Sequence, residues 1–180
     1  MKKTAIICFF IMTLSCENDV KNIKKVSDKQ QVETSAPKKE AKKVETLTKQ
    51  QFNDFFPDYL GPYKRFNIFA IPIQALATAS YGSYDSSYTY SLSDGIKNSS
   101  VVKNFELSYG SVLNGPEGTE YIKQERNGYK TIAFLQPKID RYSVEFIYKN
   151  RFKLVLEGSE PPDVLWSYVK KEDLEKLDNY

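Results

Sequence analysis

The chain of 180 residues sets 26 Lys and Arg against 23 Asp and Glu, a formal net charge of +3, and contains no histidine. Its two cysteines are Cys8 and Cys16. A Ser-His-Asp triad is therefore excluded, and the usual ligands of a zinc site are almost absent.

Met1-Lys2-Lys3 gives a positive start, Ala5 to Met12 is an apolar run, and Thr13-Leu14-Ser15-Cys16 closes it. The run is far shorter than the roughly 20 residues a bilayer span needs, so it reads as an export signal. The order resembles a bacterial lipoprotein signal over residues 1–15. Thr13 stands where that pattern carries Leu, Val or Ile. The resemblance implies that Cys16 is acylated, begins the mature protein and anchors it to a bacterial membrane. An ordinary secreted protein and an uncleaved anchor are the alternatives. Cys8 lies in the segment to be discarded, which leaves Cys16 unpaired. Acylation of its sulfur would remove the risk of disulfide scrambling. The folded domain then has no disulfide, thiol nucleophile or thiolate ligand.

Residues 16–50 read as a lipidated cysteine followed by a disordered tether. From Glu17 to Gln50 there is no aromatic residue, and nine Lys face six acids. Its scattered apolar residues cannot repay the entropy of ordering. A coil of this length reaches about 30 Å from its anchor, and its lysines add some attraction to anionic headgroups.

Residues 51–180 are the size of one domain, with 15 Lys and Arg against 17 Asp and Glu. The basic excess thus belongs to the N-terminal segments, and nucleic-acid binding is disfavoured. The first expected helix has Thr48 as its cap, Gln51 as the capping-box partner and Leu47 stapled onto Phe52. Phe52, Phe55 and Phe56 share a face, Pro57 ends the helix and Gly61-Pro62 turns the chain. Phe66 to Ile73 reads as a strand at an edge or carrying a bulge, because of Pro72. Ala77 to Tyr84 and Ser87 to Leu92 read as a hairpin turning at Asp85-Ser86. Val101, Val102, Phe105, Tyr109, Val112 and Leu113 recur at helical spacing. Pro116 to Gly128 reads as a loop with a short strand around Tyr121 and Ile122. Strands follow at Tyr129 to Gln136, Arg141 to Tyr148 and Arg151 to Glu157, the last two joined by a tight turn at Lys149-Asn150. Pro161-Pro162 opens a final helix with Leu165, Tyr168 and Val169 inward, continued by Leu174 and Leu177.

Hairpin links and apolar helix stripes predict an α+β architecture, with an antiparallel sheet of about six strands packed with three helices. Phe56-Pro57, Tyr81-Gly82-Ser83-Tyr84, Leu92-Ser93-Asp94-Gly95, Asn127-Gly128-Tyr129-Lys130, Arg151-Phe152 and Leu174-Glu175-Lys176-Leu177 occur in this order. The set resembles a group of small bacterial envelope proteins, many of them lipoproteins, without an established activity. The architecture is also similar to the Mog1/PsbP-like fold, a sheet sandwiched by helices. That resemblance implies an accessory or binding role, and fold alone does not carry function.

A carboxylate pair is the chemistry left open to an enzyme, as glycosidases need only two acids. Asp85, Asp94, Glu106, Glu117, Glu120, Glu125 and Glu145 are the candidates, and no signature joins them. Asp94 reads as a turn residue bonding its own backbone. The Glu117-Gly118-Thr119-Glu120 loop lacks a calcium-ligand ladder. Gly115-Pro116-Glu117-Gly118 is not a phosphate loop. Tyr81, Tyr84, Tyr88 and Tyr90 crowd one hairpin. They suit a binding surface, although β-propensity and cross-strand pairing explain them as well. Alternation puts Tyr88 and Tyr90 on one face and Tyr81 opposite in parity to Tyr84. Arg151 reads as an ion-pair anchor for Glu157 or Glu145. The expectation is a lipid-anchored, non-catalytic binding or accessory module of the cell envelope, without a cofactor. An envelope protein is the expected partner. A carrier of a small apolar ligand and a carboxylate-based glycan hydrolase are the alternatives.

Overall fold

The structure, a computed structural model, describes residues 45–180. The signal, Cys16 and the tether as far as residue 44 lie outside the described residues.

Helix α1 (Lys49–Phe55) starts as the capping box dictates. The Gln51 amide donates to Thr48 Oγ1 at 3.2 Å, and the Thr48 amide donates to Gln51 Oε1 at 2.7 Å. Leu47 and Phe52 are both buried, as a hydrophobic staple requires. Packing therefore begins ahead of Gln51. The chain then builds β1 (Tyr59–Leu60), β2 (Tyr63–Ile71), β3 (Leu76–Gly82), β4 (Ser87–Asp94) and helix α2 (Ser100–Gly110). It continues with β5 (Glu120–Arg126), β6 (Tyr129–Gln136), β7 (Arg141–Tyr148), β8 (Phe152–Gly158) and helices α3 (Pro162–Ser167) and α4 (Lys171–Glu175). A short 3-10 turn closes it at Lys176–Asn179. The fold is α+β. All the strands lie in one antiparallel sheet that curls into a half-barrel, in the order β1-β2-β3-β4-β8-β7-β6-β5.

Among the described residues there are eight strands where about six are expected, and four helices where three are expected. One is β5, which extends the short strand expected around Tyr121 and Ile122 to Glu120–Arg126. Its seven residues pair with β6 along their whole length. Most are polar because β5 is an edge, and Asn127-Gly128, both at positive φ, make the two-residue turn that joins it to β6. The other is the two-residue β1, beside the Gly61-Pro62 turn. The last expected helix divides where Lys170 is extended (φ −99°, ψ 138°). Helix α2 stops at Gly110, so Val112 lies beyond it and is exposed.

The two ends of the sheet repeat one plan. Each half is a four-strand meander, and the halves meet at the antiparallel β4–β8 pair. In each, a Tyr-Lys pair opens the second strand (Tyr63-Lys64, Tyr129-Lys130). In each, a Pro opens a 3-10 turn (Pro72, Pro137), and a left-handed residue closes it (Ala75, Asp140). A register shift between Arg65 and Asn67 gives β2 its extra residue.

One face of the sheet carries the core. Ala77, Leu92, Leu154 and Phe146 form one cross-strand row, and Ala79, Tyr90, Leu156, Val144 and Ala133 the next. All are buried. Phe55, the last residue of α1, and Phe56, its cap, meet Tyr90 with ring centroids 5.5 and 5.9 Å away. From α3, Trp166 meets Phe146 edge-on at 5.1 Å. Helix α2 lies over the opposite face, held by one buried side chain, Phe105.

Candidate functional site

The tyrosine hairpin does not form a surface patch. Tyr81, Tyr88 and Tyr90 are buried together on the core face, because Tyr81 pairs with Tyr88 and Ala79 with Tyr90. Only Tyr84, in the turn, is exposed. The Tyr81 hydroxyl donates to the Pro57 carbonyl at 3.1 Å, and the Tyr88 hydroxyl lies 2.8 Å from Ser159 Oγ. The Tyr90 hydroxyl is buried without a hydrogen-bond partner.

Burial pushes the hydroxyls of Tyr81 and Tyr90 well above the ordinary tyrosine value of 10. Their folded values exceed their unfolded ones, so their contribution to stability is complete below pH of about 10 and is lost as pH rises further. We expect tyrosinate absorbance to show a cooperative alkaline step that coincides with loss of the far-ultraviolet dichroism. Gradual ionisation of every tyrosine with intact dichroism would contradict this placement.

The acid candidates separate in space. Asp94 is buried at the end of β4. Its Oδ1 accepts from the Ile96 amide at 3.0 Å, the expected turn bond, and its Oδ2 from the Leu47 amide at 3.0 Å. Arg151 adds a two-pronged ion pair, Nε to Oδ1 at 2.7 Å and Nη2 to Oδ2 at 2.8 Å. This corrects the expected Arg151 partner. Glu145 instead binds Lys153 at 2.6 Å and Glu157 binds Arg141 at 2.6 Å. The register is the reason: Asp94 pairs with Phe152, next to Arg151, whereas Glu145 pairs with Val155 and Glu157 with Ser143, further along the strands. Glu106, on α2, binds Lys130 at 2.9 Å. Asp85, Glu117, Glu120 and Glu125 are exposed on turns and along β5. No group of three or more His, Cys, Asp or Glu among the described residues could hold a metal ion.

The open chemistry lies along α2. One hollow of about 590 Å³ is lined by Gly95, Ser99, Val102, Lys103, Glu106, Leu107 and Asn150, mainly through apolar atoms. A second, of about 270 Å³, lies on its other flank and is lined by Ser108, Leu113, Tyr121, Ile132, Phe134, Ser143 and Glu145. The first is shallow and open, since Ser99, Lys103, Leu107 and Asn150 are all exposed. Leu107 projects as an apolar side chain that is 67% exposed. Lys123 fastens the end of α2 by donating from Nζ to the carbonyls of Tyr109 (3.0 Å) and Ser111. Helical spacing had suggested that Val102 and Phe105 face the sheet. What the sequence did not distinguish is that Leu107 is left outside. Its place in the repeat, two residues and so about 200° round the helix from Phe105, was the available signal.

Comparison with protein-family models, curated proteins and solved structures finds no match.

Proposed function

We propose that this chain is a lipid-anchored protein of the bacterial envelope whose domain is a non-catalytic binding module. The observation that carries the reading is the state of its functional groups. The buried or half-buried charges at Asp94, Glu145, Glu157 and Arg126 are each taken up by an ion pair within the fold. The apolar wall of α2 around Leu107, by contrast, stands open. Such a surface offers contact area and contributes no reactive group. Cys16 supplies the lipid anchor, and the segment after it spans the distance to the domain. The placement of α1 and α3 on one face and α2 on the other supports kinship with the Mog1/PsbP-like fold, in which helices sandwich a sheet. A carrier of a small apolar ligand is less well supported, because the space between the core face and its helices is filled by aromatic side chains.

The test joins both parts. Labelled palmitate fed to cells is expected to enter the wild-type chain and not Cys16→Ala. A photo-crosslinking residue at Leu107 is expected to capture one envelope component, and Lys103→Glu to change that yield. Equal label in the two chains would overturn the anchor. Only diffuse, low-yield adducts at Leu107 would overturn the binding surface.

A further inference from the structure

The internal repeat shows a strand position that is filled in one half of the sheet and open in the other. In the second half, β5 covers the outer edge of β6, with Gln124, Ile122 and Glu120 opposite Thr131, Ala133 and Leu135. In the first half, the equivalents of those three β6 positions are Arg65, Ile68 and Ala70. The Arg65 amide is satisfied by the Asp58 carbonyl at 2.8 Å. Beyond it β1 does not continue, because Pro57 turns the chain away into α1. Among the described residues, nothing pairs with the outer edge of β2 from Phe66 to Ile71. The alternation of the ladder points the N–H and C=O groups of Ile68 and Ala70 outward.

The two edges are also protected differently. Glu120, Lys123, Glu125 and Arg126 put charge along β5, the usual guard against pairing with another chain. Phe66 to Ile71 contains no charged residue, and Phe66 and Phe69 are 48% and 63% exposed. A neutral, apolar edge with unpaired backbone groups favours strand addition. The segment is self-complementary about a dyad. Setting Phe69 against Phe69 of a second copy places Ile68 against Ala70 in both directions and Asn67 against Ile71. The ladder is confined to Asn67 to Ile71, because β1 and the Asp58 carbonyl already cover Lys64 and Arg65 and Pro72 opens a turn, so no charged residue faces another across it.

We propose that β2 pairs antiparallel with β2 of a second copy of this chain, which joins the two sheets into one and makes the protein a symmetric dimer. This interface lies at the edge of the sheet, away from α2, and is independent of the Leu107 surface.

The test uses the full chain carrying Cys8→Ser and Cys16→Ser. Phe69→Cys is expected to form a disulfide-linked dimer at least about tenfold faster than Ile139→Cys, an exposed site in the matching turn of the other half, because pairing raises the local thiol concentration. In the parent chain, the amides of Ile68 and Ala70 are expected to resist hydrogen exchange at dimer concentrations. They are expected to lose that protection in Phe69→Lys, whose melting is otherwise retained. Equal crosslinking at the two sites, or fast exchange of both amides in the parent chain, would overturn the proposal. Palmitate labelling and Leu107 capture would be unaffected by that result.

Discussion

Replacing Arg151 with Ala is expected to cost about 3–5 kcal/mol, the range for leaving a buried charge without its partner. The Asp94 side chain is wholly buried, and Arg151 is 11% exposed. Removing the guanidinium therefore strands a carboxylate that water does not reach. The loss spreads further, because Arg151 also donates to the carbonyls of Tyr180 and Glu45, at 2.8 Å each. One side chain thus ties the segment entering α1, the end of β4, the β7–β8 turn and the last residue of the chain. It also lies over the Phe152 ring, 4.5 Å from its centroid, a cation–π contact. Arg151→Lys keeps the charge but loses the fork that grips both carboxylate oxygens, so it should recover only part of the stability. Asp94→Ala should be comparably damaging, since it orphans the amides of Leu47 and Ile96 as well. The double variant Asp94→Ala with Arg151→Ala should lose clearly less than the sum of the two, as contacting residues do. Chemical denaturation of the four chains measures this. Additive losses, or a loss below about 1 kcal/mol for Arg151→Ala, the usual ceiling for exposed pairs, would refute the clamp.

Arg151 also shows where the sequence was legible and where it was not. That an arginine beside Phe152 would anchor an ion pair follows from its setting in a hairpin. Which acid it would meet depends on the order of the strands, because β8 lies beside β4 and brings distant residues together. Short-range signals worked for the same reason that this one failed. The capping box of Thr48 and Gln51, the turn at Lys149-Asn150 and the alternation in β7 and β8 are decided within a few residues. Only the Tyr121-Ile122 centre of β5 was legible, because its ends are polar and an edge strand can be polar on both faces, which removes the period-two signal. The repeat escaped because its halves share little beyond Tyr-Lys and a Pro, and the extra residue at the β2 bulge breaks the register.

The tyrosines make the same point about the site. Four in one hairpin suggest a contact surface, yet Tyr81 and Tyr90 pack toward the end of α1, and Tyr88 is buried where its ring stacks on Tyr63 and its hydroxyl meets Ser159. Thr89, between Tyr88 and Tyr90, marks the opposite face of the strand, and alternation alone does not tell which face helices will cover. The exposed groups are instead those that depart from a stripe, such as Leu107 in α2, or that have no strand beside them, such as Phe69 in β2.

Phe146→Ala is the second substitution expected to be severe, at about 3–5 kcal/mol. Phe146 is fully buried in β7, next to Leu154 in the cross-strand row. Its ring lies 5.1 Å from Trp166 and 5.6 Å from Tyr129, so it couples the sheet to α3. Truncation leaves a cavity that Leu154 and Trp166 cannot fill without moving the helix. The chain contains one tryptophan, so its emission reports on the setting of Trp166, between Phe146 at 5.1 Å and Tyr129 at 6.2 Å. The folded variant should show a changed Trp166 spectrum together with the lowered denaturation midpoint. Tyr90→Phe is the counterpart in the same core. It removes a hydroxyl that has no hydrogen-bond partner and keeps the ring that meets Phe55 and Phe56. Its cost should be close to zero, or the chain should gain slightly, because no bond is lost and a buried polar group disappears. A mild Phe146→Ala with an unchanged tryptophan spectrum would mean that α3 does not rest on β7. A costly Tyr90→Phe would mean that the hydroxyl is bound, and that the space beside α1 contains a polar partner.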